Sequence, residues 1–176
     1  MVRRLRPQRA GAHRRRRVAG RLRVLRAVPK SWASWNYAVR DDAGHHVGDV
    51  ELSSWRERGA VRLKGAEHRV FREGSLRGKF VLEGGRVPVR AVKPNAFRST
   101  FEISYGSKHY LLRRRSAFRR DRVLYEEDAL IGGVFSEGSL NRRARVDLPD
   151  ELPMLLTMFV VWLTLVQWRR ESSAAG

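Results

Sequence analysis

The sequence predicts a mainly β domain, built from hairpins and completed by an apolar C-terminal helix. From Ser31 onward, short stretches of alternating apolar and polar residues are interrupted by turn residues at nearly even intervals, which is typical of an all-β fold. After Asp147 the alternation stops, and an apolar segment runs from Leu152 to Trp168. A chain of 176 residues fits one domain, which we place at residues 31–170.

The predicted turns are rich in glycine, proline and acidic residues. They are Asp41 to Gly44, Lys64-Gly65, Glu73-Gly74, Gly84-Gly85, Pro94-Asn95, Gly106-Ser107, Glu126 to Asp128 and Glu137-Gly138. Glycine supplies the positive φ that two-residue hairpin turns require, so residues 79–83 and 86–92 are predicted to be paired strands. Phe101, Ile103 and Tyr105 alternate with polar residues, which predicts a strand with one buried face.

One short motif occurs twice. Phe71-Arg72-Glu73-Gly74-Ser75-Leu76 returns as Phe135-Ser136-Glu137-Gly138-Ser139-Leu140, identical at five of six positions. We interpret it as a repeated hairpin unit, with an inward aromatic followed by a Glu-Gly turn and a returning strand. Coincidence is the alternative.

The apolar C-terminal segment predicts a helix over about 151–168. Asp150 is a suitable N-cap, and Pro153 falls within the first turn, where its missing amide costs nothing. The segment is apolar on all sides, which indicates either a core helix or a membrane span. Its 17 residues reach about 25 Å, short for the roughly 30 Å of a bilayer core. We therefore favour a core helix with a tail anchor as the alternative, and its predicted core residues are Leu152, Leu155, Leu156, Phe159, Val160, Trp162, Leu163 and Val166.

Positive charge is concentrated at the N-terminus. Residues 1–30 contain eleven arginines and Lys30 without any acidic residue, so they carry +12 of the net charge of +19. We predict that residues 1–30 are a disordered Arg-rich segment and that residues 171–176 are a disordered tail. The arginines indicate a nucleic-acid-binding arm, a polybasic membrane tether, or a base composition that favours arginine.

A family resemblance follows from the order of elements near the C-terminus. A Glu-Gly turn, a strand predicted at residues 141–146, the sequence Leu148-Pro149-Asp150-Glu151-Leu152-Pro153 and an apolar helix follow many short hairpin strands. This order resembles the tubby C-terminal superfamily, which includes LURP-one-related proteins and phospholipid scramblases, and also its bacterial members of unknown role. The resemblance implies a closed antiparallel barrel of about twelve strands around the hydrophobic helix. The phosphoinositide-binding and calcium-binding residues of that superfamily have no residue-by-residue match here.

No catalytic constellation is evident in the sequence. Cysteine is absent, the histidines show no metal-ligand spacing, and no nucleophile stands in a pattern with a base. We therefore expect no enzyme activity, no cofactor, no metal and no small-molecule substrate. An apolar signal-peptide region is also lacking, so we expect a cytoplasmic protein that associates peripherally with membranes.

The candidate binding feature is a group of six arginines within ten residues. They are Arg113, Arg114, Arg115, Arg119, Arg120 and Arg122. They are predicted on adjoining strands or in the turn between them, so some must face solvent and form a basic patch for lipid phosphates or a nucleic-acid backbone. The alternative is a solvated edge that blocks strand-to-strand aggregation. Trp32, Trp35 and Tyr37 are interpreted as barrel wall or cap, with insertion into a headgroup layer as the alternative.

The sequence thus predicts a non-catalytic barrel that acts as a scaffold or as a peripheral module binding anionic lipid. A nucleic-acid-associated protein that uses the Arg-rich segment is a second hypothesis, and a tail-anchored membrane protein is a third. The oligomeric state does not follow from the sequence.

Overall fold

The computed structural model describes residues 20–53, 58–74, 78–94, 100–138 and 141–174. These residues form twelve strands followed by one helix. The elements are β1 (Leu22–Pro29), β2 (Asn36–Asp41), β3 (His46–Leu52), β4 (Gly59–Leu63), β5 (Ala66–Glu73), β6 (Lys79–Leu82), β7 (Val89–Val92), β8 (Phe101–Tyr105), β9 (Lys108–Ser116), β10 (Arg119–Glu126), β11 (Ala129–Ser136), β12 (Ala144–Pro149) and α1 (Met154–Ser173).

The strands form one closed antiparallel barrel, in which each strand pairs with its neighbours in sequence. The barrel closes where β1 pairs with β12, for example at Leu25 opposite Val146. Closure satisfies the backbone groups that an edge strand would leave exposed. The predicted closed barrel of about twelve strands around a buried helix is therefore confirmed.

Helix α1 fills the centre of the barrel. Every residue from Leu156 to Trp168 is buried, because the helix is covered on all sides by inward-facing strand residues. Of the eight predicted core residues, Leu155 is partly buried and the other seven are buried. The described part of the chain contains no helix with the length and apolarity that crossing a membrane would need.

One close approach fixes the helix against the wall. The indole Nε1 of Trp162 donates a hydrogen bond to the Glu51 carbonyl oxygen at 3.0 Å. Gly59 leaves the space for this contact, since a Cβ at that position would lie 2.4 Å from Nε1 of Trp162. Trp162 also meets Phe80 edge to face, with the ring centroids 5.5 Å apart.

The predicted N-terminal boundary is wrong. Residues 22–29, which we placed in the disordered segment, form β1, and the barrel therefore begins before Ser31. Leu25 and Ala27 point into the core and are almost fully buried, while Arg26 points outward. Arg23 shares the face of Leu25 and Ala27, and Val24 and Val28 share the face of Arg26, so β1 lacks the clear alternation of apolar and polar residues that marks a strand such as β8. The remaining prediction of disorder for residues 1–19 lies outside the described residues.

The predicted helix boundaries also need correction. Helix α1 begins at Met154 and extends to Ser173, so residues 171–173 belong to it and not to a tail. Pro153, rather than Asp150, occupies the N-cap. Asp150 is instead held by Arg23, whose Nε lies 3.0 Å from its carboxylate oxygen. Asp150 thus forms an ion pair with β1, a strand that the sequence prediction placed outside the barrel.

Most predicted turns join the strands as expected, but details differ. Strands β6 and β7 pair, although β7 begins at Val89 and not at Arg86. Strand β12 occupies residues 144–149 and not 141–146, because Arg142 lies in the preceding connection, where its side chain binds backbone carbonyls of the β1–β2 connection.

The aromatics of the repeated motif do not point inward. Phe71 and Phe135 are only half-buried, whereas their neighbours Val70 and Val134 lie in the core. Both motifs start near the ends of odd-numbered strands, and residues 75–76 and 139–140 of the two copies lie outside the described residues. The repeat thus marks two equivalent strand ends at one end of the barrel.

Candidate functional site

The β9–β10 hairpin carries the six arginines singled out in the sequence, and its tip is Ala117-Phe118. The Phe118 side chain is 97% exposed. The turn is held locally, because the Phe118 amide donates to Ser116 Oγ at 3.3 Å and Arg114 Nε donates to the Arg119 carbonyl at 2.8 Å. An apolar ring is thus presented to solvent from an ordered turn.

The pleat of the sheet divides the arginines between two faces. Arg113 lies on the outer face, where its guanidinium is 4.2 Å from the centre of the Tyr125 ring and donates to the Tyr125 hydroxyl at 2.8 Å. Arg115 is exposed on the same face and lies 5.9 Å from the Phe135 ring. These two residues are oriented by aromatic rings of the barrel wall.

Arg122 lies on the inner face and is only 1% exposed, so its assignment to an exposed basic patch is wrong. Arg122 lies opposite Arg114 in the strand register of the hairpin. Its guanidinium donates a hydrogen bond to Glu171 Oε1, near the end of α1, at 2.7 Å. Arg114 is one-third exposed and lies 3.8 Å from the same carboxylate oxygen. Burial lowers the pKa of Arg122, and the charge of Glu171 opposes that change. The ion pair of Arg122 with Glu171 therefore belongs to the interior of the barrel and not to a surface patch.

Arg119 and Arg120 stand beside the tip of the hairpin. The Arg119 side chain is 73% exposed and lies 3.7 Å from the buried carboxylate of Asp121. Arg120 is half-buried, and its carbonyl accepts a hydrogen bond from the Trp168 indole at 2.8 Å. Together with Phe118 these residues line a surface cavity of about 470 Å³. The exposed arginines of the predicted patch are therefore Arg115 and Arg119, and the half-buried Arg120 lies beside the aromatic tip.

A second exposed aromatic lies in the β1–β2 connection. Trp32 is 91% exposed, whereas Trp35 is half-buried against the core and Tyr37 is fully buried. Burial raises the pKa of Tyr37 to about 12, against the opposing charge of Arg142. The prediction of barrel wall or cap therefore suits Trp35 and Tyr37, while Trp32 faces solvent.

Arg142 of the β11–β12 connection fastens the segment that bears Trp32. Its guanidinium donates to the Ser34 carbonyl at 3.0 Å and the Ser31 carbonyl at 2.9 Å, and also to the Trp32 carbonyl. It lies 4.9 Å from the centre of the Trp35 ring. One arginine thus fixes the backbone on both sides of the exposed indole.

The carboxylate of Asp49 balances the positive charge of Lys30, the first residue of the β1–β2 connection. Asp49 accepts from Lys30 Nζ at 2.9 Å and from His46 Nε2 at 3.0 Å. Its burial opposes ionisation, but the hydrogen bonds and charges of Lys30 and His46 outweigh burial and hold the pKa of Asp49 below its ordinary value. Lys30 is therefore partly neutralised, and Arg142 is the residue that braces the loop.

We expect Asp49→Asn to lower the free energy of unfolding by about 1 kcal/mol at neutral pH. Because the folded pKa is lowered, the carboxylate stabilises the fold above the ordinary Asp pKa of about 3.9. That stabilisation is lost as the pH falls through the lower folded value. Urea titrations of both proteins at neutral and acidic pH measure the difference. Asp128→Asn, in an exposed turn, is the control; an Asp49→Asn effect that persists undiminished at low pH would contradict the assignment.

The sequence prediction missed Phe118. The turn at Ala117-Phe118 lacks glycine, proline and asparagine, so it gave no turn signal, and the interpretation of this segment considered only its arginines. A signal was nevertheless present, since a single aromatic residue stands between three arginines at 113–115 and two at 119–120. Among the described residues, no group of three or more His, Cys, Asp or Glu side chains could hold a metal ion.

The described elements define a closed antiparallel barrel with a central C-terminal helix and exposed aromatics on two connections. A similar structure is the X-ray structure of a protein from Arabidopsis thaliana, AT5G01750, with a TM-score of 0.50 over 82% of this chain and 91% of that chain. The sequence identity is 14%, so the likeness concerns the fold alone. No family profile and no curated protein matches the sequence.

Proposed function

We propose that the protein is a non-catalytic barrel of the tubby C-terminal type that binds the surface of anionic membranes. The observation that carries the proposal is Phe118, which stands 97% exposed at the tip of an arginine-rich hairpin. An exposed aromatic beside cationic side chains suits a bilayer surface, where the ring enters the headgroup layer and the cations meet lipid phosphates. The family assignment is supported by the order of elements and by the central helix.

The proposal predicts separable apolar and electrostatic contributions to binding. Burying a phenylalanine ring is worth about 1.5–3 kcal/mol, so Phe118→Ala should weaken binding to phosphatidylserine-containing vesicles by about tenfold or more. Arg119→Gln removes about 1 kcal/mol of attraction, or roughly fivefold in affinity, and only this contribution should shrink when salt is added. Vesicle cosedimentation measures both effects.

Two controls separate this proposal from its alternatives. Val87→Ala and Lys64→Gln alter exposed residues at the other end of the barrel and should leave vesicle binding unchanged. A chain without residues 1–19 retains all twelve strands and should still bind vesicles through the hairpin. If vesicle binding vanished with that segment and were insensitive to Phe118→Ala, the proposal would fail. Duplex DNA binding alone in a gel shift assay would favour the nucleic-acid hypothesis.

A further inference from the structure

Trp32 and Phe118 lie at the same end of the barrel. In an antiparallel barrel of consecutive strands, the connections that follow odd-numbered strands all lie at one end, and Trp32 follows β1 while Phe118 follows β9. Helix α1 ends there too, because Trp168 donates to the Arg120 carbonyl at the start of β10. The other exposed large apolar residues in the described chain, Leu22 at 48% and Val87 at 37%, are much less exposed and lie toward the other end.

The connections that bear Trp32 and Phe118 are also close neighbours around the rim. The strand order β1-β12-β11-β10-β9 places only the β11–β12 connection between them. Arg142 belongs to this middle connection and holds the Trp32 segment through its backbone carbonyls. The two rings are therefore carried on one continuous side of the rim, and the Trp32 segment is held in place before any partner binds.

The two ends of the barrel differ in charge. In the described connections at the end that bears Trp32 and Phe118, the charged residues are the bases Lys30, Arg58, Lys93, Arg142 and Arg143 and the acid Glu137. In the described connections at the opposite end, the acids are Asp42, Glu83, Glu127, Asp128, Asp150 and Glu151, and the bases are Arg21, Lys64 and Arg86. An anionic surface would attract the first end and repel the second.

A bilayer suits this end better than a nucleic acid does. Many of its cations are already engaged: Arg142 binds carbonyls, Lys30 binds Asp49, and Arg119 lies beside Asp121. Phosphate-backbone binding depends on cations that track the strand along a groove. Among the described residues of this end, Trp32 and Phe118 present rings that are 91% and 97% exposed, and such rings partition into the interfacial layer of a membrane.

We propose that the barrel docks end-on on an anionic bilayer, with Trp32 and Phe118 both inserted into the headgroup layer. Arg142 acts as the positioning residue that presents Trp32. The C-terminal end of α1 then faces the membrane, and Arg21, just before β1, lies at the far end, where the Asp150 amide donates to its carbonyl at 2.9 Å. This inference rests on the proposed membrane function and adds the orientation and the second anchor.

Site-specific fluorophores test the orientation directly. The chain contains no cysteine, so Ala33→Cys, Ala117→Cys and Ser107→Cys each give one labelling position in the full chain and leave both aromatics in place. With phosphatidylserine-containing vesicles, an environment-sensitive label should shift to the blue at residues 33 and 117. It should not shift at residue 107, which lies in a turn at the opposite end.

The outcomes distinguish this inference from the proposed function. A blue shift at residue 117 without one at residue 33 would leave membrane binding through the hairpin intact and overturn end-on docking. Equal shifts at all three positions would also overturn it. Absence of vesicle binding would remove the proposed function itself, and shifts produced by duplex DNA but not by vesicles would replace the bilayer by a nucleic acid.

The roles of Trp32 and Arg142 have their own measurements. Trp32→Ala should weaken vesicle binding by about tenfold, and combination with Phe118→Ala should multiply the two losses. Arg142→Gln should reduce the blue shift at residue 33 and leave the shift at residue 117 unchanged, which a general loss of stability would not do. Unchanged binding by Trp32→Ala would contradict the second anchor.

Discussion

Leu156→Arg is expected to abolish the soluble folded state. Leu156 lies in the first turns of α1 and is 0% exposed, surrounded by the inner wall of the barrel. An arginine there would lose its hydration without gaining a partner, which costs several kcal/mol beyond the lost packing. Since a domain of ordinary size is stable by about 5–15 kcal/mol, this single change should remove most of the stability. Circular dichroism and size-exclusion chromatography of the expressed variant measure the result.

A graded series makes this prediction sharper. Leu156→Ala should leave a folded protein with a free energy of unfolding lower by about 2–5 kcal/mol, because it leaves a cavity and no buried charge. Val87→Arg introduces the same charge at an exposed position and should fold normally. A Leu156→Arg protein that remained soluble and unfolded cooperatively at the wild-type midpoint would show that this helix face is not in the core.

Glu171→Ala should have the second largest effect on stability. The carboxylate of Glu171 lies 2.7 Å from the guanidinium of Arg122, which is 1% exposed. Loss of one partner from a fully buried ion pair costs about 3–5 kcal/mol, because the remaining charge keeps its desolvation penalty. The Glu171 side chain is 25% exposed, so we expect a loss toward the lower end of that range. Denaturant unfolding of both proteins measures the difference. The loss should arise near the end of α1, where the helix meets the β9–β10 hairpin.

A double variant tests whether buried charge is the cause. Arg122→Met combined with Glu171→Leu removes both charges and keeps the volume, so it should recover most of the stability lost by Glu171→Ala. Glu73→Ala breaks the exposed ion pair with Lys79 and should change stability little. If the double variant were less stable than Glu171→Ala, hydrogen-bond geometry rather than the desolvation of the Arg122 charge would govern this site.

The sequence predicted the fold where local signals were strong. The apolar run after Asp147 predicted α1 as a core helix because a helix that is apolar on all sides is either buried in protein or spans a membrane, and this run is short for a span. Glycines at the turns predicted the hairpins, since positive φ favours that residue; Gly84 and Gly106 indeed have φ of 97° and 60°. Strand β1 escaped prediction because its two arginines continue the basic run of residues 1–19 and because its apolar residues occur on both faces of the strand.

The candidate site was only partly predictable. The six arginines were visible as a cluster, but their faces depend on register: Arg122 pairs with Arg114 and both point inward, while Arg113 points outward. A bulge between Arg119 and Arg122 shifts that register. No local sequence pattern predicts such a shift in register, so the sequence did not show which of the six arginines are buried and which are exposed.

The sequence by itself determined that strands precede a wholly apolar helix, and the length of that helix favoured enclosure by the strands over a membrane span. Tertiary structure alone decided which residues share one end of the barrel. Trp32 and Phe118 are 86 positions apart, yet pairing of β1 with β12 brings their connections to neighbouring places on the rim. Turn and helix signals are local in the chain, whereas closure and register arise from contacts between distant strands. The proposed membrane-binding surface depends on these contacts between distant strands.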